Sequence, residues 1–296
     1  MCGNSINCIF VIDESGSLGY AQNQEQFEGE FGLVAGYFLP FPTVQKANEA
    51  AKHFFAEFRK KDDEKIHITD LSKDEQNKLR NRVFEIFECE YNNFIWFYDA
   101  ISVQGMHEFY KDDGYDEKDE NNSHSKKEKI HTKLFCSIIL KALACIRTDN
   151  KTAKKINMLI VSDRLNKGEI KDFKHEIKEY YQWLLTTRQK EKIVKKKNRE
   201  TDEIETFTCR TTVNVESDNF FQFDELNIDI DTDISDVTLI ADVLANSAFH
   251  YLTQKIKENP NINLNSKEAI ERHPLARRVW GNQTESILDI MYRRER

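Results

Sequence analysis

Two apolar runs near the N-terminus, residues 6–13 (INCIFVID) and 31–39 (FGLVAGYFL), are separated by a polar stretch without a helical stripe. Both are rich in β-branched and aromatic residues, and turn-formers stop both: SGS after the first, Pro40 and Pro42 after the second. A parallel pair needs a crossover of a dozen or more residues, usually helical, whereas a polar loop suffices for an antiparallel pair. The chain is therefore expected to open with an antiparallel pair of strands.

Beyond this pair, strand-like and helix-like segments alternate. A helix is expected near 43–60, with Ala51, Phe54, Phe55 and Phe58 on its apolar face. KIHITDLS reads as a short extended piece running into Ser72, and S-K-D-E is a capping box for the next helix. NNFIWFYDAISV and INMLIVSD read as strands, with the apolar helix HTKLFCSIILKALACI between them. A long helix through FKHEIKEYYQWLL is expected to pass into the basic stretch RQKEKIVKKKNR. TFTCRTTVNVES and ELNIDIDTDI read as strands, VTLIADVLANSAFHYLTQKI as the last major helix. This order gives an α/β fold with a mixed sheet flanked by helices. The domain is expected over 1–258, with a polar insertion near 111–127 and a basic segment near 188–200. Residues 259–296 are left as a C-terminal polar tail.

Composition narrows the functional classes. A net charge of −8 does not mark a dedicated nucleic-acid binder, although metal ions and local basic patches can carry phosphate contacts in an acidic protein. Six scattered cysteines without a CxxC pair argue against a disulfide framework or a zinc site and are expected to be reduced. No run has the length of a membrane span, and no secretory signal opens the chain, so a cytoplasmic location without membrane contact is expected.

Four places carry candidate chemistry. Asp13 and Glu14 stand where a buried strand runs out into SGS, at the kind of sheet edge where open α/β folds place catalytic groups. Turn capping is the alternative role there. Asp163 ends INMLIVSD in the same way and serves either a site or the cap of the next helix. Asp242 lies among Leu239, Ile240, Val243 and Leu244, where a buried carboxylate needs a partner; a place near the helix start, favoured by the dipole, is the alternative. Asn246 and His250 follow at i+4 and i+8 on the same face. His67 and Asp70 are the fourth group: on an extended segment Lys65, His67 and Thr69 would face one way and Ile66 and Ile68 inward. His67 could contact substrate or a metal, or be an ordinary surface histidine. Carboxylate clusters hold Mg²⁺ or Mn²⁺, which neutralise charge on a phosphodiester and activate water. Arg188, Lys190, Lys192 and residues 195–199 read as a solvated helix end, with contact to a nucleic-acid backbone as the alternative; the same holds for Arg277 and Arg278 beside Trp280.

Two resemblances compete. Asp13, Ser15 and Ser17 in VIDESGS resemble the single-metal DxSxS motif of von Willebrand A domains, but a short polar loop follows here instead of a long amphipathic helix. The motifs VIDESGSLG, FGLVAGYFL, KIHITDLS, LIVSDR and LIADVLANSAF, in that order over residues 8–255, resemble the bacterial domain-of-unknown-function family 3800. That resemblance implies a ribonuclease H-like fold. It also implies Asp13, Asp163 and Asp242 as metal-binding carboxylates, with Glu14, His67 and Asp70 as additional site residues. A helix glutamate of the ribonuclease H pattern is not identified; Glu85 and Glu88 are the candidates. The expected activity is Mg²⁺- or Mn²⁺-dependent hydrolysis of RNA or DNA, in a bacterial defence setting taken from the family. A non-catalytic metal-dependent binding module and a structural subunit of a larger complex are the alternatives, with a protein partner or homo-oligomer left open.

Overall fold

The computed structural model describes residues 4–59, 66–89, 94–112, 128–163, 165, 167–197, 204–214, 222–232, 236–281 and 286–294. The expected polar insertion near 111–127 falls largely outside them.

Strand β1 (Asn4–Gly16) turns back into β2 (Phe31–Phe38), and the two pair antiparallel, with Asp13 opposite Ala35 and Gly16 opposite Gly32. Helix α1 (Val44–Phe54) and helix α2 (Lys73–Glu88) follow. The capping box at the start of α2 forms in full: the Glu75 N–H donates to Ser72 Oγ, and the Ser72 N–H donates to the Glu75 carboxylate. Strand β3 (Trp96–Ser102) pairs antiparallel with β2 and runs into α3 (Val103–Asp112). Helix α4 (Ile130–Asp149) then carries the chain to β4 (Ala153–Ser162), which pairs parallel with β1. After α5 (Lys167–Tyr180) and a hairpin of β5 (Thr187–Lys197) and β6 (Ile204–Asn214), strand β7 (Glu225–Thr232) pairs parallel with β4. The result is a mixed α/β fold around a five-stranded mixed sheet of order β3-β2-β1-β4-β7.

Both faces of the central strands are covered, which explains their unbroken apolar runs. On one face Val11, Leu33, Tyr37, Tyr98 and Val161 pack under α1, α2 and the long helix α6 (Asp236–Glu258). On the other, Phe10, Ile12, Val34, Phe97 and Ile160 pack under α4 and α5. Gly16 has φ +82°, and a Cβ there would lie 2.4 Å from the Phe249 ring of α6 and 2.5 Å from the Phe31 carbonyl. The glycine lets α6 lie close over the end of β1.

Four segments differ from expectation. Ser15 and Gly16 do not stop the first strand but extend it, paired with Leu33 and Gly32 of β2, so Asp13 and Glu14 lie within β1. Residues 68–70 form a 3-10 turn instead of an extended piece. Ile66 and Ile68 are buried as expected, but Thr69 and Asp70 turn out to solvent. The basic stretch is strand β5 and not the end of a helix, because α5 stops at Tyr180. The segment after α6 is docked, not trailing: α7 (Lys267–Ile270) packs on α6, and α8 (Ile287–Met291) packs on β3. There the Trp96 indole donates to the Leu275 carbonyl at 3.0 Å, and the Trp280 N–H donates to the Trp96 carbonyl at 2.9 Å. Buried Asn265 pairs with both backbone groups of Ala100, accepting its N–H at 2.7 Å and donating to its carbonyl at 2.9 Å. Asp289 accepts from the Asn265 backbone and amide. The side chain of Asn265 thus takes the place of a missing neighbour strand. Cys8, Cys89, Cys136, Cys145 and Cys209 are free thiols. No helix among the described residues is long and apolar enough to cross a membrane.

Candidate active site

The site grows out of one register. In the parallel β1–β4 pair Ile12 stands beside Ser162, so the next residues, Asp13 still within β1 and Asp163 just past β4, lie side by side where the two strands part. Parallel neighbours lie about 4.8 Å apart, which brings two carboxylates side by side. Both are buried. Helix α6 crosses β1 and β2 on the face that holds Val11 and Val161, and it brings Asp242 to the same end.

His67 sits between two of these groups. Its Nδ1 lies 4.0 Å from Asp163 Oδ2 and 3.9 Å from Asp242 Oδ2. The neighbouring Ile68 N–H donates to Asp242 Oδ2 at 3.0 Å, so the 3-10 turn is tied directly to α6. The turn that pushes Asp70 into solvent is also what points the backbone at Asp242.

The electrostatics follow from burial of like charges. Asp13 is held well above the ordinary carboxylate range, first by burial, then by the negative charges of Glu14, Asp242 and Asp163. The Glu14 N–H, which donates to Asp13 Oδ1 at 3.0 Å, offsets part of this. Glu14 is pushed up to about 7 by burial, by Glu169 of α5, and by Asp163 and Asp242. Its Oε2 lies 3.8 Å from His131 Nε2 on α4. Burial among apolar neighbours, including the Phe173 ring, takes His131 down to about 4. At neutral pH that imidazole is uncharged, so the contact is a neutral histidine beside a carboxyl group of unusual basicity, not an ion pair.

Strand alternation divides the roles. Asp13 lies on the α6 face with Asp163 and Asp242, whereas Glu14 lies on the α4–α5 face with His131 and Glu169. The two halves meet at the end of the strands.

One turn beyond Asp242, Asn246 accepts a hydrogen bond from Arg80 of α2 at 2.8 Å, and burial, then the same guanidinium, lower the pKa of His250. Asn246 and His250 therefore share the expected face, and Arg80 adds a cation to it. Glu85 and Glu88 lie on the exposed side of α2, Glu85 paired with Arg82 at 3.0 Å. His131, Glu169 and Arg80 were not among the residues expected from sequence. Each is a single polar residue on a helix, and nothing in its local pattern sets it apart from a surface position.

The donor set is one of hard carboxylate oxygens held against mutual repulsion, which suits a divalent cation such as Mg²⁺ or Mn²⁺ in kind. Among the described residues, no three His, Cys, Asp or Glu side chains stand as a group ready to hold a metal ion, so binding one requires these side chains to close up. No protein-family model matches the chain, and no curated protein is significantly similar to it.

Proposed function

We propose that this protein is a Mg²⁺- or Mn²⁺-dependent phosphodiester hydrolase of ribonuclease H-like fold, acting on RNA or DNA. The observation that carries the reading is the meeting of Asp13, Asp163 and Asp242, from three distant segments, at one end of the sheet around His67. Membership of the domain-of-unknown-function family 3800, and with it a bacterial defence setting, belongs to the same proposal and rests on the five motifs in order. The antiparallel β1–β2 hairpin favours it over an adhesion-type site, because Ser15 is a paired strand residue opposite Leu33 instead of part of an open metal-binding loop.

Asp13, Asp163 and Asp242 would hold the cation, which supplies charge neutralisation on the phosphate and a more acidic water. Glu14, with a pKa near neutrality, can accept or return a proton at its carboxylate without leaving the working pH range. Arg80 would bring positive charge along α6 for a phosphate entering from that side. His67, hydrogen-bonding distance plus a small movement from two carboxylates, orients them and can donate to a phosphate oxygen.

The deciding experiment is cleavage of end-labelled RNA and DNA with Mg²⁺ or Mn²⁺ by the wild type and by Asp13→Asn and Asp163→Asn. Loss of cleavage in both variants is the expected result, and unchanged cleavage in both overturns the assignment. Thermal stabilisation by Mn²⁺ that disappears in Asp13→Asn gives a readout independent of turnover.

A further inference from the structure

The chain is acidic overall, yet one element is strongly basic. The β5–β6 ribbon carries Arg188, Lys190, Lys192, Lys195, Lys196, Lys197 and Arg210 against only Glu191 and Glu205. Glu191 stands directly across from Arg210 and Glu205 across from Lys196, so the excess positive charge belongs to Arg188, Lys190, Lys192, Lys195 and Lys197 of β5. Among the described residues the two strands pair with each other alone, as a separate two-stranded sheet. Strand alternation puts Arg188, Lys190, Lys192 and Lys196 on one face. Their β6 neighbours on that face include Phe207, across from Val194, and Val213, across from Arg188, both of them exposed.

A ribbon of this kind has no core to build. A run of like charges along one strand is complementary in sign to a polyanion such as a nucleic-acid backbone. Eleven residues extend about 36 Å, roughly one helical turn of B-form DNA, and a two-stranded ribbon fits the major groove of that duplex. The major groove of A-form RNA is too deep and narrow for such an element.

We propose that the β5–β6 ribbon is an arm that grips duplex DNA through its phosphate backbone, at a distance from the carboxylate cluster. The cut-site part of this proposal rests on the hydrolase reading above; the binding part does not. The root of the ribbon lies at the end of the sheet opposite the cluster. There the Thr186 N–H donates to the Phe223 carbonyl, the Asp224 N–H donates to the Lys154 carbonyl, and Lys155 stands beside Glu225. From that pair to Ser162 beside Thr232 the sheet runs about 23 Å at about 3.3 Å per residue. A duplex rises about 3.4 Å per base pair, so only substrates longer than about seven base pairs can reach from the ribbon root to the cluster.

The test uses the full chain with Asp13→Asn to block turnover, a labelled duplex DNA of about 30 base pairs, a hairpin with a stem of about six, and an RNA duplex of about 30 base pairs. Binding is followed by fluorescence anisotropy across a salt series. Replacement of Lys190, Lys192 and Lys196 by Gln should weaken binding to the long DNA about tenfold or more and lower the log–log salt slope by about two to three. Arginine at the same three positions should restore both. The short hairpin should lose much less. Wild-type affinity and slope in the Gln variant overturn the proposal, as does no binding of long DNA by the parent chain or tighter binding of RNA than of DNA. Hydrogen-exchange protection of residues 187–197 by DNA, in the chain that keeps its lysines, decides the matter if the Gln variant misfolds. DNA binding through the ribbon without cleavage by the wild type sinks the hydrolase and keeps the arm. Cleavage of long and short substrates indifferent to the ribbon lysines does the reverse.

Discussion

Two buried polar clusters at different places on the sheet are built on opposite principles. Against edge strand β3, Asn265 and Asp289 match donors to acceptors: Asn265 completes Ala100 on both sides, and Asp289 accepts from the Asn265 backbone and amide. Where β1 and β4 part, Asp13, Asp163 and Asp242 gather on the α6 face with Glu14 across the sheet from them, and burial, then the neighbouring negative charges, raise the proton affinity of Asp13 and Glu14. Burial pushes Asp289 up to about 6 as well, but there the hydrogen bonds from Asn265 offset part of the rise, whereas in the second cluster further carboxylates add to it. A fold tolerates such opposition where the groups do something other than hold it together.

The contrast can be broken by mutation. Asp13→Asn should reduce metal-dependent cleavage at least about a hundredfold while raising stability by about 1 kcal/mol, since it removes one repelling charge. Steady-state kinetics and urea unfolding on the same preparation check both signs, and a destabilised Asp13→Asn protein would place that carboxylate in a structural role. Asn265→Ala should act in the opposite sense, costing about 3 kcal/mol in urea unfolding by leaving Ala100 and Asp289 buried without their partner, with the cleavage rate of the folded fraction unchanged.

Acid sharpens the same comparison at His273. This buried residue accepts the Leu275 N–H at Nδ1, which puts its proton on Nε2, facing Ser247 Oγ at 2.8 Å. Burial takes its pKa down from 6.5 to about 4, so between those values the unfolded chain binds the extra proton and the folded chain does not. Its contribution is complete above about pH 6.5 and is lost progressively as the pH falls toward 4, by about 2–3 kcal/mol. The fall in unfolding free energy over that range should be smaller by this amount in His273→Gln; parallel curves for the two proteins would exclude it. The smallest effects are expected at Glu85→Gln and Glu88→Gln, within about 0.5 kcal/mol of wild type and without loss of cleavage. Loss of activity in either would move the site onto α2.

The secondary elements were largely legible because strands covered on both faces leave unbroken apolar runs, and because Ser72 and Glu75 form the capping box that their spacing announces. Asp13 and Asp163 stood out as charges at the ends of such runs, and Asp242 as a charge among apolar helix residues. Their proximity was not legible. It depends on the pairing of Val11 with Val161, and local periodicity carries no information about which strand lies beside which. Strand β6 is legible in TFTCRTTVNVES, but β5 is not, for a related reason: RQKEKIVKKK has no apolar alternation, and its charges suit an exposed helix as well as an exposed strand. Asp70 was placed by an extended geometry that the 3-10 turn does not keep, and Arg80, His131 and Glu169 enter only through tertiary packing.

The long separation of the paired strands has a consequence for the chain during synthesis. Strand β1 is made first, but its parallel neighbour β4 begins only at Ala153, and the helix that carries Asp242 later still. Local contacts can form the β1–β2–β3 meander early, whereas the β1–β4 pairing must wait for a large loop to close. A nascent chain halted anywhere before α6 thus presents at most two of the three aspartates, and the cluster assembles only once most of the protein has left the ribosome.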